Sequence, residues 1–290
     1  MGESLLDTKI IQKICDSVEG LEILSELKKG GQKIVYKASL TGTKEIVFKV
    51  IKPASEMEKN RALREIQITA DLCSEFFPKM FHFGESSNES GNYIYMLEEK
   101  IPGSNLRDFI ETHENKIPNL EETKRTIGSV LNALAITESL NLVHRDIKPE
   151  NIMISKNRIV LIDFGIARHL NLSSLTDTSA FFGPMTPGYA PPEQIKNEKR
   201  KISIRTDFFS MGVVFYELLA GVNPFFLNAK HPQQALQNVL RVTPPLITSY
   251  GYHPSINSFL QQCLEKQTHW RFPNTKTAIE CFNEIVWEVQ

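Results

Sequence analysis

The sequence predicts an α+β fold, rich in strands over its first third and mainly helical after it. Three observations lead there. Short apolar runs broken by glycine and polar turns dominate residues 21–98, the pattern of strands joined by hairpins. From Leu106 onward the apolar residues recur every three or four positions, which is helical spacing. The chain has 290 residues, 41% of them hydrophobic, enough for one large domain or two small lobes.

Taken in order, residues 4–18 place Leu6, Ile10, Ile11, Ile14, Cys15 and Val18 on one helical face. This N-terminal extension, residues 1–20, is expected to pad the first lobe; a partner-binding or dimerising helix is the alternative. Strands follow at 21–27, 34–40 and 44–51, with Gly30-Gly31 as a hairpin tip and Thr41-Gly42 as a second turn. Residues 56–73 read as a helix. Two more strands, 80–83 and 93–98, flank a polar turn at 86–92. Residues 121–140 carry Ile127, Val130, Leu131, Leu134 and Ile136 at helical spacing. Short apolar strands at 152–154 and 159–162 then flank a polar turn at 155–158.

Composition excludes several classes. A formal net charge of −1 gives no reason to expect nucleic acid or an anionic membrane as a partner. The basic run at 196–201 is interrupted by Asn197 and Glu198 and reads as a solvated loop. Cys15, Cys73, Cys263 and Cys281 form no Cys-x-x-Cys pair, so zinc and redox motifs are not expected and a reduced, cytoplasmic setting is. No apolar run approaches the ~18 residues of a membrane span. The N-terminus lacks the basic start and apolar stretch of a signal peptide. Met1-Gly2 followed by Leu6 lacks the Ser or Thr of a myristoylation signal.

Chemistry concentrates in two stretches, His144-Arg145-Asp146-Ile147-Lys148-Pro149-Glu150-Asn151 and Asp163-Phe164-Gly165. A hairpin between them should bring Asp146, Asn151 and Asp163 together. Three oxygen-bearing side chains beside a lysine suit a Mg²⁺-nucleotide. Asp146 can orient a hydroxyl and accept its proton, Asn151 and Asp163 can hold the metal, and Lys148 can steady the moving phosphoryl charge. The order and separation of the two motifs resemble the catalytic core of Hanks-type Ser/Thr protein kinases.

That resemblance extends from residue 21 to near the C-terminus. It implies a two-lobed kinase domain over about 21–285, with a small β-rich N-lobe at about 21–99, a larger, mainly α-helical C-lobe at about 103–285, and ATP between them. Gly30 and Gly31 fall at the tip that covers the phosphates. The three family glycines align with Lys28, Gly30 and Lys33, so only the middle one matches. Val35, Val47 and Met153 are implied to line the nucleotide site. Lys49, in Ile46-Val47-Phe48-Lys49, is implied to grip the α- and β-phosphates, with Glu65 as its partner. Thr69 stands where the family packs an apolar residue. Glu99 opens the hinge whose backbone meets adenine. Glu98 guards the back of that pocket, or else is a strand-end carboxylate facing water. Residues 163–193 correspond to an activation loop, with Thr176, Thr178 and Ser179 as candidate phosphosites for Arg145 and Thr186 as the support for Asp146. Asp207 is implied to steady the catalytic loop, and Arg271 to pair with Glu193.

The expected function is transfer of the ATP γ-phosphoryl group, with Mg²⁺, to Ser or Thr hydroxyls of a protein substrate. A pseudokinase scaffold and a small-molecule kinase of related fold are the alternatives. Self-association through the N-terminal helix, or autophosphorylation in trans, is a further expectation.

Overall fold

The computed structural model describes residues 8–30, 33–41, 43–70, 72, 74–112, 119–156, 158–164 and 186–289. The chain divides into two compact units between Ile101 and Pro102.

The first unit begins with helix α1 (Thr8–Ser17), followed by strands β1 (Glu22–Lys29), β2 (Lys33–Leu40) and β3 (Thr43–Ile51). Helix α2 (Glu56–Ala70) and strands β4 (Met80–Asn88) and β5 (Gly91–Glu99) complete it. The strands form one sheet in the order β1-β2-β3-β5-β4, antiparallel at every step. Alternation along a strand sorts its side chains onto two faces. One face carries Ile34, Ala38, Ile46, Phe48, Val50, Tyr95 and Leu97, all buried in a common core with Ile10 and Ile14 of α1. These two isoleucines stand one helical turn apart and are 0% exposed. The apolar face of α1 is therefore spent inside its own unit. Padding the sheet withdraws these side chains from water, the role expected of the N-terminal extension.

Strands β4 and β5 run longer than the apolar runs that announced them. The register continues through Glu85↔Ile94, Ser86↔Tyr93, Ser87↔Asn92 and Asn88↔Gly91. β4 lies at the edge of the sheet, where polar side chains can face water without loss of pairing. The expected seven-residue turn shrinks to two residues, with the Asn88 side chain accepting from Ser90 N at 2.9 Å.

The second unit holds β6 (Ser104–Asn105), α3 (Leu106–Thr112), α4 (Leu120–Ser139), β7 (Ile152–Ile154) and β8 (Ile159–Leu161). It continues through α5 (Pro192–Ile195), α6 (Ile204–Ala220), α7 (Pro232–Arg241), α8 (Pro254–Cys263) and α9 (Thr275–Asn283). A capping box between Asn119 and Glu122 starts α4, satisfying N–H groups that have no partner inside the helix. Helix α6 is buried around nearly its whole circumference, the condition of a helix at the centre of a core. Gly221, at φ 73°, ends it in the left-handed conformation that only glycine adopts cheaply. Helices α4 and α8 pack on α6, and α9 packs on α4. Phe215 of α6 meets Phe259 and Phe282 edge-on at 6.1 and 6.3 Å. Strands β6, β7 and β8 make a small antiparallel sheet.

Candidate active site

In the first unit, the register of the sheet decides which residues share the second face. Val35 pairs with Lys49, Lys49 with Met96, and Val47 with Glu98. Side chains opposite one another on paired strands point to the same face. Val35, Val47, Lys49, Met96 and Glu98 therefore form one patch, opposite the core face packed by α1. Lys49 is 5% exposed. Its Nζ forms an ion pair with Glu98 Oε2, and the Glu98 side chain is only 13% exposed. Glu98 does not face water, so that reading of the sequence is corrected. Lys49 and Glu98 are diagonal neighbours on adjacent strands, within reach of a long side chain.

Gly30 donates its N–H to Lys33 O at 2.8 Å, closing the β1–β2 turn. Lys28 and Lys29 remain in the ladder, paired with Val35 and Ile34. Gly31 lies outside the described residues. Glu65 is half-buried on α2, one turn before Thr69, whose hydroxyl donates to Ile66 O at 2.9 Å. The N–H of Glu99 donates to Lys79 O at 2.8 Å and so cannot also donate to a base.

In the second unit, the segment from His144 to Asn151 is held from beneath by α6. Asp207 Oδ2 accepts from His144 N at 2.7 Å, and Oδ1 accepts from Arg145 N at 2.8 Å. Burial pushes the Asp207 carboxyl up to about 7, against the pull of these two N–H donors. Gln194 Nε2 donates to Arg145 O at 3.1 Å. Arg145 sits at φ 64° and Asp163 at φ 60°, a left-handed conformation that costs non-glycine residues and persists only where surroundings enforce it. For Arg145, Asp207 and Gln194 are that enforcement. The His144 ring lies 3.1 Å from Ile162 O through Nε2, accepts from Asp146 N through Nδ1 at 3.3 Å, and packs 5.1 Å from the Phe164 ring. Its burial at 0% exposure makes it a strut for the loop.

On this frame three side chains close a triangle. Lys148 Nζ stands 3.0 Å from Asp146 Oδ2 and donates to Thr186 Oγ1 at 3.0 Å. Thr186 Oγ1 donates to Asp146 Oδ1 at 3.2 Å. Asn151 Nδ2 donates to the Asp146 carbonyl at 2.8 Å. With the amide nitrogen so engaged, the amide oxygen of Asn151 is the atom suited to a cation. The Asn151 carbonyl accepts from Ile162 N at 2.9 Å, and Ile152 pairs with Leu161. Asn151 and Asp163 thus flank the same end of the β7–β8 hairpin. Met153, on β7, pairs with Asn105 and Val160.

The 186–195 segment is anchored by a buried ion pair. Arg271 donates through both terminal nitrogens to Glu193, at 2.7 and 2.9 Å, with the side chains 0% and 1% exposed. Sequence reading missed a second cluster: Arg107 Nη1 donates to Glu217 at 2.8 Å and Nε to Glu150 at 3.2 Å, and Tyr189 donates to Glu217. Arg107 and Glu217 are 110 positions apart, and no local pattern couples them. Gln194 was missed for the same reason. Thr176, Thr178 and Ser179 lie outside the described residues.

The sequence matches the model of the protein kinase domain over residues 21–282. The chain belongs to the protein kinase family. Among relatives, it is 34% identical over 230 residues to the serine/threonine-protein kinase PknB of Mycolicibacterium smegmatis, covering 78% of this chain and 35% of that one. It is 29% identical to the dual specificity mitogen-activated protein kinase kinase sek-1 of Caenorhabditis elegans, covering 92% of this chain and 81% of that one. The chain spans about a third of the length of the PknB-type relatives. The crystal structure of the Mycobacterium tuberculosis PknI kinase domain superposes with a TM-score of 0.68 at 19% identity, covering 92% of this chain and 95% of that one. It shows that the fold is the protein kinase fold. The family's chemistry uses ATP and a divalent cation. No described helix is long and apolar enough to cross a membrane.

Proposed function

We propose that this chain transfers the γ-phosphoryl group of ATP to Ser or Thr hydroxyls of a protein. The observation that carries the reading is the Asp146–Lys148–Thr186 triangle. Asp146 is aimed by two donors, so its carboxylate can orient an incoming hydroxyl and take its proton as the bond to phosphorus forms. Lys148 already bridges Asp146 and Thr186, which leaves an ammonium beside the place where phosphoryl charge moves. Lysine at 148 and threonine at 186 are the residues the resemblance associates with Ser/Thr substrates.

Bound Mg²⁺-ATP supplies the phosphoryl group and neutralises its charge. Asn151 and Asp163 are the residues to hold Mg²⁺. No group of three or more His, Cys, Asp or Glu gathers as a metal site among the described residues. A cation held by one carboxylate, one amide and the nucleotide's own oxygens fits Mg²⁺, which binds few protein ligands. Lys49, with Glu65 as its helix partner, takes the α- and β-phosphates. Val35, Val47 and Met153 line the base, the Glu99 carbonyl meets it, and Gly30 with Gly31 covers the phosphates. Arg145 receives a phosphate on Thr176, Thr178 or Ser179, whose charge and acceptor oxygens suit a guanidinium. The setting is cytoplasmic, and the partner is a protein.

The test uses purified protein, Mg²⁺ and labelled ATP with a generic protein substrate. Asp146→Asn should cost about 10²–10⁴-fold in rate, the usual worth of a positioned general base, and Asp163→Asn should abolish Mg²⁺-dependent transfer. Both should melt within a few degrees of the wild type. Wild-type turnover in either variant would overturn that residue's role. No transfer by the wild type would leave a scaffold. Mapping phosphosites on active protein, then measuring the Thr176→Ala, Thr178→Ala and Ser179→Ala triple variant, tests the loop.

A further inference from the structure

We infer that Glu98 is a positioning residue that holds the Lys49 ammonium in reserve and competes with nucleotide phosphate for it. The inference rests on the kinase reading of Lys49 and deepens it. Three observations carry it. Lys49 Nζ and Glu98 Oε2 are in ion-pair contact. Both side chains are largely withdrawn from water, 6% and 13% exposed, so the pair is weakly screened. The register of β3 on β5 fixes them as diagonal neighbours on one sheet face, so the contact is built into the ladder and does not depend on a mobile loop.

The consequence is electrostatic. A carboxylate within contact of the phosphate-binding lysine cancels its charge and sets a negative group close to where anionic phosphates must arrive. A phosphate oxygen that takes Lys49 either displaces Glu98 or shares the ammonium with it. In both cases Glu98 weakens binding of phosphate-bearing ligands. It has no such effect on a ligand without phosphate. This separates charge competition from a change in pocket shape, because a shape effect acts on the base and treats both ligands alike.

The experiment is calorimetric titration of the full chain with ATP, ADP and adenosine, for the wild type, Glu98→Gln, Glu98→Met, Lys49→Met and the Lys49→Met/Glu98→Gln double variant. Circular dichroism and melting temperature verify folding for each. Glu98→Gln is nearly isosteric, and Glu98→Met gives a second route if the amide disturbs the sheet. The expected result is a Kd for ATP and ADP about three- to tenfold lower in both Glu98 variants, tenfold corresponding to about 1.4 kcal/mol. Adenosine affinity should stay unchanged. In the Lys49→Met background, Glu98→Gln should gain less than it does in the wild type, because only direct repulsion of the phosphates is left to remove. Unchanged or weaker ATP binding in folded Glu98 variants overturns the inference and leaves the kinase reading standing. An equal gain for adenosine also overturns it, assigning Glu98 to pocket shape. A wild type that binds neither ATP nor adenosine overturns both.

Discussion

Thr186 does two jobs with one hydroxyl, accepting from Lys148 and donating to Asp146. A hydrogen bond to a charged group is worth about 1.5–3 kcal/mol, so Thr186→Val should lower kcat roughly 10- to 100-fold, with Thr186→Ser close to wild type. Steady-state kinetics on both variants checks this; a loss in Thr186→Ser with Thr186→Val close to wild type would mean that the methyl group, not the hydroxyl, matters. Lys266 is the opposite case, a charged group whose buried Nζ has no hydrogen-bond partner among the described residues. It lies 4.4 Å from the centroid of the Phe225 ring, an attraction that offsets only part of its burial. Burial lowers its pKa from the ordinary value to about 7. Below about pH 7 both folded and unfolded chains are protonated, and the folded state bears the full cost. Between about 7 and 10.5 the unfolded chain binds the extra proton, so stability rises with pH. Lys266→Met should remove that rise and stabilise the fold at pH 7 by about 1 kcal/mol, the low end of the cost of a buried unsatisfied group. Urea melts at pH 6.5, 8 and 9.5 measure it, and an undiminished slope in the variant would refute the assignment.

Helix α1 and strand β4 show what an element needs beyond its own sequence. α1 is only 10 residues long, too short to persist alone in water. Packing of Ile10 and Ile14 against the sheet stabilises it. Ile14→Ala should therefore destabilise the first unit by about 2–5 kcal/mol, the range for deleting a large buried aliphatic side chain. Gln12→Ala, on the exposed side, should stay within about 0.5 kcal/mol. Thermal melts distinguish the two, and an Ile14→Ala variant as stable as Gln12→Ala would place α1 outside the core. β4 makes the complementary point: its polar end is a strand because β5 offers it backbone partners, and a single strand has no such partner within itself.

At the scale of the molecule, one long-range tie is both charged and fully buried. Arg271 and Glu193 stand 78 residues apart and join the segment after Thr186 to the end of the helical unit. Breaking a buried pair strands the remaining charge, at about 3–5 kcal/mol, whereas replacing both members by apolar residues is often neutral. Arg271→Met should thus destabilise the fold strongly, and Arg271→Met/Glu193→Leu should recover part of the loss. Chemical denaturation of the single and double variants measures the difference; a double variant as unstable as the single would mean the pair is not an independent unit.

The amino-acid sequence by itself determined the α+β class and the five strands of the first sheet, and it singled out Asp146, Lys148, Asn151 and Asp163 as candidates. Each of these is carried by residues close along the chain, where spacing and turn chemistry act locally. The pairs Asp207 with the His144–Arg145 backbone and Arg271 with Glu193 were legible only through family resemblance. Tertiary structure alone decided the rest. Whether Glu98 met water or Lys49 depended on the β3–β5 register, and a slip of one residue would have turned it to the other face. The Arg107–Glu217–Tyr189 cluster, the Gln194 brace on Arg145 and the burial of Lys266 against Phe225 depend on which distant segments meet in a packed core. Side-chain charge is written in the sequence, but its partner and its desolvation are properties of the fold.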